Sequence, residues 1–302
     1  MLVACPPTEP ALGLTFAPDP AAQSPGDPGH AAQSPWRRPS PQTWRRPAAR
    51  GGPLMLVACP PTEASPRADH RTRRSRLRGG QSMLIACWSV KGGAGTTVVA
   101  AALALLSARR GPTVLADLAG DLPAALGLPE PASPGISGWL AAGAGVPADA
   151  LGRIEIEVAP GVALLPRGEG ALNPARAGLL AALLARSSRP TVIDCGRIGN
   201  PADPAGDSVA TTLIGAARRS ILVIRPCYMA LRRAREAPVR PSGVVVVHEP
   251  GRVLTTTDVQ QVIQVPILAE VVLDPAVART VDAGMLAGRL PRSLAKALSD
   301  AA

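Results

Sequence analysis

Residues 89–97 read SVKGGAGTT and stand between two apolar runs, LIACW at 84–88 and VVAAALALL at 98–106. The first run has the length of a buried strand, and the second has the length of a helix. Glycines at this spacing let the backbone turn so that successive N–H groups point inward, and a helix that begins there adds its positive dipole end. The order of strand, glycine loop and helix therefore predicts a phosphate-binding loop. An ordinary glycine turn before a helix is the simpler alternative.

From Met83 onward, short β-rich runs alternate with helical ones, which predicts an α/β fold with a doubly wound, mostly parallel sheet. Aromatic residues make up only 2% of the chain, so the core must be built from Ala, Val, Leu and Ile. The predicted strands lie near 84–89, 113–117, 162–165, 190–194, 220–225, 243–248 and 267–272. The predicted helices lie near 97–109, 136–143, 174–187, 207–218, 228–236, 256–264, 275–286 and 292–300.

Residues 1–82 contain repeats without a hydrophobic period: MLVACPPTE at 1–9 returns at 55–63, and a related MLIAC opens the ordered region at 83–87. Their high content of proline, serine and arginine is typical of disorder. We therefore expect two parts, a disordered or mis-assigned extension at 1–82 and one folded domain at 83–302. A functional tail is the alternative for the first part.

The formal net charge is +10, but residues 1–82 carry +6 of it, from eleven arginines and five acidic residues. Basic segments bind phosphate backbones whatever their origin, so nucleic acid is a candidate partner that the charge alone does not favour. The five cysteines are odd in number and form no CxxC pair, which fits a reducing, cytoplasmic setting. No apolar run reaches the ~18 residues of a membrane span, so stable membrane insertion is not expected.

The loop KGGAGTT at 91–97 resembles the deviant Walker A loop of the MinD/ParA family of ATPases, which reads KGGxGKT. The segment VIDCG at 192–196 resembles the family's Walker B strand end, and VPI at 265–267 with DPAV at 274–277 resembles its C-terminal segment. The resemblance covers residues 83–302 and is strongest to the CpaE/TadZ pilus-assembly branch and its actinobacterial septum-site-determining relatives. It implies ATP and Mg²⁺ as cofactors.

The resemblance also implies a set of site residues. Thr97 would place its hydroxyl on Mg²⁺, and Asp194 would hold a water of that ion. The family's counterpart of Lys91 reaches across a nucleotide-dependent homodimer to the partner's nucleotide, so Lys91 implies such a dimer here. The residues implied to bind the cofactor are Lys91, Gly92, Gly93, Ala94, Gly95, Thr96, Thr97 and Asp194.

Three positions depart from the family pattern. Thr96 stands where the family has the lysine that grips the β- and γ-phosphates, and a charge-assisted bond of that kind contributes ~1.5–3 kcal/mol. Asp117 matches the first acid of the family's Asp-x-Asp and is a candidate catalytic residue, but a helix cap is an equal alternative. Ala119 occupies the second acid position, and Asp121 would replace it only after a local shift. His248 stands where the family recognises the base with asparagine.

These departures leave three functions open. The favoured one is an ATP-dependent dimerising factor that positions or recruits an unidentified protein partner in pilus assembly, septum placement or chromosome partitioning, with weak or no hydrolysis. The second is a pseudo-ATPase scaffold without useful nucleotide binding. The third is a DNA-associated partition ATPase.

Overall fold

The computed structural model describes residues 83–143 and 146–302. The expectation of a disordered or mis-assigned extension at 1–82 falls outside these residues. Within the two described ranges, no helix is both long enough and apolar enough to cross a bilayer.

Eight strands form one sheet, and seven of them lie where the sequence predicts a strand. Their bounds are β1 (Leu84–Ser89), β2 (Thr113–Asp117), β3 (Ile156–Ala159), β4 (Val162–Leu165), β5 (Thr191–Arg197), β6 (Arg219–Ile224), β7 (Gly243–His248) and β8 (Ile267–Val272). Their order across the sheet is β3-β4-β2-β5-β1-β6-β7-β8. Every neighbouring pair is parallel except β3 and β4. The predicted fold class, a mostly parallel α/β sheet, is confirmed.

Helices cover both faces of this sheet. They are α1 (Thr96–Ser107), α2 (Leu122–Leu126), α3 (Gly135–Ala141), α4 (Ala177–Arg186), α5 (Pro204–Ala216), α6 (Tyr228–Glu236), α7 (Thr256–Ile263), α8 (Pro275–Asp282) and α9 (Arg292–Leu298). Two hydrophobic clusters result, one beneath α3 to α7 and one beneath α1, α2, α8 and α9. Strands covered on both faces read as continuous apolar runs, which is why the sequence locates them so well.

One strand and one α-helix of the structure were not predicted from the sequence. The edge strand β3 is antiparallel to β4 and only half-buried, so its sequence IEVA lacks the continuous apolar signal of the inner strands. Helix α2 has five residues, which is too short for a helical period to show. Both elements form because neighbouring segments hold them, and a local pattern does not report such contacts.

The glycine loop follows the central strand β1 and therefore lies at the carboxyl edge of the sheet. Strand β1 lies between β5 and β6, and the chain turns to opposite sides of the sheet after β1 and after β5. Asp117, at the end of β2, is the register partner of Asp194 on β5. Ligands of open α/β sheets bind at this kind of crevice, beyond the carboxyl ends of strands at a switch point.

Candidate functional site

The glycine loop between β1 and α1 forms an open cradle. Gly93 and Gly95 have φ angles of 73° and 89°, which side chains other than glycine rarely adopt. A Cβ atom built on either residue, or on Gly92, would meet no atom within 4 Å, so the space above the backbone is empty. The loop therefore has both the conformation and the room to receive an anion at the N-terminus of α1.

The two ends of the loop differ in burial. Thr96, the first residue of α1, is only 6% exposed and carries no charge. Ala94 is buried as well, whereas Lys91 is exposed and makes no hydrogen bond or ion pair with another residue of the described part of the chain. A cation is thus present at the rim of the loop but absent from the position where the family has its second lysine.

Asp194 lies on β5 beside the loop and is completely buried. Its Oδ1 accepts a hydrogen bond from the Gly196 N–H at 3.0 Å, but its Oδ2 has no hydrogen-bond partner among the described residues. Burial raises the pKa of Asp194 to about 7, and the negative charge of Asp117 adds to the rise, although the nearby Thr97 hydroxyl and Gly196 N–H oppose it. An unpaired buried carboxylate oxygen is costly unless a donor or cation completes it.

Asp117, the candidate catalytic residue, is also completely buried, but both of its oxygens are occupied. Oδ1 accepts from the Gly120 N–H at 2.7 Å, and Oδ2 accepts from the Leu122 N–H at 3.1 Å. Burial raises the pKa of Asp117 to about 6 despite these bonds. This geometry favours the capping alternative for Asp117, because both carboxylate oxygens accept hydrogen bonds from backbone N–H groups of the turn that leads into α2.

A polar cavity of about 330 Å³ opens over the loop. Gly92, Gly93, Thr96 and Thr97 line one side of it, and Ala119 and Asp121 also line it. Ala119 thus faces the cavity without a functional group, while Asp121 brings an exposed carboxylate to it. The other charged or amide-bearing lining residues were not predicted from the sequence; they are Arg167, Arg197, Asn200, Asp203 and Asp207.

Arg225 contacts the backbone of the glycine loop. Arg225, just after β6, donates to the Gly93 carbonyl at 3.1 Å and pairs with Glu249 at 2.7 Å. Arg225 was not predicted from the sequence, although an arginine directly after a buried strand at the carboxyl edge is a usable signal.

An apolar pocket of about 210 Å³ begins at Gly95, next to the polar cavity. It lies between α1, the ends of β7 and β8, and α8, and valines supply most of its walls. His248, which ends β7, contacts Glu270 at 2.8 Å and Thr256 at 2.9 Å through its Nε2 atom. Through these two contacts His248 links the end of β7 to β8 and to the start of α7.

These residues fit a magnesium nucleotide. The cradle is open to an anion, the Thr97 hydroxyl lines the cavity beside it, and the unpaired Oδ2 of Asp194 lacks the donor that an ion-bound water would supply. The Gly95 pocket offers apolar walls of the kind that hold a flat base.

A phosphate cradle at the switch point of a doubly wound parallel sheet defines the P-loop class of nucleotide-binding folds. No protein-family model matches the sequence, and no curated protein matches it. Solved structures of MinD/ParA ATPases do match the fold. A ParA family ATPase from Chlorobium tepidum is 17% identical with a TM-score of 0.60, over 72% of this chain and 96% of that one.

Two further matches are nucleotide complexes. The septum site-determining protein MinD of Pyrococcus horikoshii with Mg-ADP is 19% identical with a TM-score of 0.59, over 72% of this chain and 93% of that one. An ATP complex of McdA from Cyanothece is 18% identical with a TM-score of 0.57, over 74% and 95% of the two chains. The chain therefore has the fold of the MinD/ParA ATPases, as its loop sequence predicts.

Proposed function

We propose that this chain is a degenerate MinD/ParA-type protein that binds Mg-ATP, associates with a second copy in that state, and hydrolyses the nucleotide slowly or not at all. One observation carries the proposal: the buried, unpaired Oδ2 of Asp194 lies beside an open anion cradle. A buried, unpaired carboxylate oxygen is costly unless a donor or cation completes it, so its position there supports a bound ligand.

Different residues of the site would bind the phosphates, the base and the magnesium ion. The inward-facing N–H groups of the loop would hold the phosphates, and the Gly95 pocket would hold the base. The Thr97 hydroxyl and the Asp194 carboxylate would hold Mg²⁺, the latter through a bound water. When bound, the ion neutralises phosphate charge and bridges the phosphate oxygens.

Weak hydrolysis follows from what the cavity lacks. Thr96 is neutral, and removing a donor of this kind from a transition state costs ~2.7–4 kcal/mol. Ala119 presents no group that could orient a water, and both oxygens of Asp117 are held by backbone donors. Asp121 also lines the cavity, and among the described residues no backbone N–H group donates to its carboxylate. Asp121 is therefore the remaining candidate for orienting a water.

We expect phosphate release from Mg-ATP to be far slower than the ~1–10³ per second of ordinary enzymes. A coupled phosphate assay on the full chain, with the bound nucleotide identified afterwards by chromatography, measures it. The nucleotide should be recovered as ATP. Release at ordinary enzyme rates, lost in an Asp121→Ala variant, would instead show that Asp121 and another cation have taken over the chemistry.

The biological role rests on the resemblance rather than on the site. Positioning or recruitment of a protein partner, in pilus assembly, septum placement or chromosome partitioning, is the role we propose, and the CpaE/TadZ branch remains an inference from the sequence alone. The scaffold alternative has one observation in its favour, the replacement of the loop lysine by Thr96. Absence of any nucleotide binding would make it the better account.

A further inference from the structure

The cavity over the loop contains two cations of its own. Within residues 83–143 and 146–302, the basic side chains that line it are Arg167 and Arg197. Arg197 is exposed and donates to the Asn200 Oδ1 at 2.8 Å. Arg167 is better enclosed, with 21% of its side chain exposed, and it approaches from the end of β4, on the far side of β2 and β5 from the loop.

The backbone around Arg167 is held firmly. The N-terminus of α3 donates to it twice, from the Ile136 N–H to the Pro166 carbonyl and from the Ser137 N–H to the Arg167 carbonyl, both at 2.8 Å. Gly135 and Gly168 make this contact sterically feasible, because a Cβ atom on Gly135 would lie 2.4 Å from the Gly168 nitrogen. The start of the Arg167 side chain is therefore positioned by the fold and not by a mobile loop.

The guanidinium of Arg167 does not use all of its N–H donors in contacts with the described residues. It donates to the Leu118 carbonyl through Nη1, while its Nη2 lies 3.8 Å from the Asp203 Oδ2, which is an ion pair but not a hydrogen bond. Asp203 already accepts from the Gly206 N–H at 2.8 Å as the cap of α5. A guanidinium has five N–H donors and stays charged at any physiological pH, so Arg167 has donors left for a third partner in the cavity.

We infer that Arg167 supplies the cation for the terminal phosphate of bound nucleoside triphosphate, in place of the lysine that Thr96 replaces. This inference rests on the proposed function. Arg167 lines the same cavity as the loop residues Gly92, Gly93, Thr96 and Thr97. The arginine fork matches phosphate oxygens with two parallel bonds. Arg197 is less suited, because it is exposed and its charge is screened by solvent.

The test is a double-variant cycle on the full chain, with Mg-ATP and Mg-ADP titrated by calorimetry. Arg167→Ala should weaken Mg-ATP by about 10- to 100-fold and Mg-ADP by clearly less, because the diphosphate lacks the group that Arg167 contacts. Thr96→Lys should tighten Mg-ATP, and the loss caused by Arg167→Ala should shrink in the Thr96→Lys background, because the two cations then serve the same phosphate. Arg189→Ala is the matched control: it removes an arginine that pairs with Glu155 and does not line the cavity, and it should change neither affinity much.

A purely structural role for Arg167 predicts a different pattern. Arg167→Ala would then lower the melting temperature without nucleotide and weaken ATP and ADP equally, and Thr96→Lys would not rescue it; that pattern overturns the inference. Arg167→Lys, which keeps the charge, should retain most of the preference for ATP. If the wild type binds ATP and Arg167→Ala binds it as well, the inference alone is wrong. If the wild type binds neither nucleotide, the inference and the proposed function are both wrong.

Discussion

Replacing Asp194 by asparagine is expected to raise the melting temperature of the nucleotide-free protein at pH 8 and, in the same variant, to weaken Mg-ATP binding at least tenfold. Asparagine keeps an oxygen for the Gly196 N–H and removes the charge from a side chain that is completely buried, with an unpaired Oδ2. The amide NH₂ takes the place of the unpaired oxygen, so the expected gain in stability comes from removing a buried charge and not from a new hydrogen bond. In a chain of this size, each kcal/mol corresponds to roughly 2–4 °C.

The affinity falls for a separate reason. Asparagine holds an ion-bound water more weakly than a carboxylate does, and loss of such an outer contact typically lowers metal affinity by ~10–100-fold. Stability and binding should therefore move in opposite directions at one residue, which is the pattern of a functional site that is strained when empty. Thermal melting and calorimetric titration of the same preparation measure the two effects.

The sign of the pH dependence follows from the two raised pKa values. Asp194 and Asp117 have folded-state pKa values of about 7 and about 6, against 3.8 for the ordinary carboxyl group. Between pH 4 and 7 the folded protein without nucleotide binds more protons than the unfolded chain, so its free energy of unfolding falls as pH rises through this window. Asp194→Asn should reduce the fall in the free energy of unfolding at the higher-pH end of this window, near pH 7, and leave the part that Asp117 causes near pH 6.

Asp117→Asn is the matched control. The substitution is the same, but both oxygens of Asp117 are hydrogen-bonded whereas Oδ2 of Asp194 is not. Both oxygens of Asp117 accept backbone N–H groups, so an amide NH₂ in place of one oxygen would face a donor. We expect Asp117→Asn to lower the melting temperature where Asp194→Asn raises it. Equal destabilisation by both would contradict the view that Asp194 is kept for a ligand.

Lys91→Ala is expected to abolish the association of two chains that Mg-ATP induces, while the monomer keeps its fold. Lys91 is exposed at the rim of the loop, and no other residue of the described ranges pairs with it, so its removal costs the monomer little. ATP can favour a dimer only by binding the dimer more tightly than the monomer, and a lysine that reaches the partner's phosphates is one source of that difference.

Sedimentation velocity with and without Mg-ATP measures the effect, and Lys296→Ala is the control because the chain has only these two lysines and both are exposed. Lys296→Ala should associate as the wild type does. Unchanged ATP-induced association in Lys91→Ala would remove Lys91 from the dimer. No association in any variant, including the wild type, would contradict the proposed dimer.

Much of the fold could be predicted because its signals are local. Six of the seven predicted strands are largely buried, and the loop SVKGGAGTT is one continuous segment, so each is visible in a short window of sequence. The edge strand β3 was missed because it has only four residues and its sequence IEVA lacks a continuous apolar run. Sequence thus reports burial well and reports contacts between distant segments poorly.

The candidate site shows the same division. Asp194 and Thr97 lie in motifs and could be named in advance, whereas Arg167 is distant from the loop in sequence and reaches it only through the strand order. A usable signal existed, since Arg167 follows the predicted strand 162–165 almost directly at the carboxyl edge of the sheet. The two roles of Asp117 could not be separated by sequence, because the choice depends on where the Gly120 and Leu122 N–H groups point.

The central claim is that the loop still binds Mg-ATP without its second lysine, and a calorimetric titration of the full chain with Mg-ATP at pH 8 tests it most directly. We predict saturable binding of one nucleotide per chain with a dissociation constant between micromolar and millimolar, since loss of one charge-assisted bond costs about 10- to 100-fold and not the whole interaction. The heat should be strongly reduced by EDTA and by Asp194→Asn. Absence of binding at several millimolar Mg-ATP, or binding that is indifferent to both EDTA and Asp194→Asn, would contradict the account.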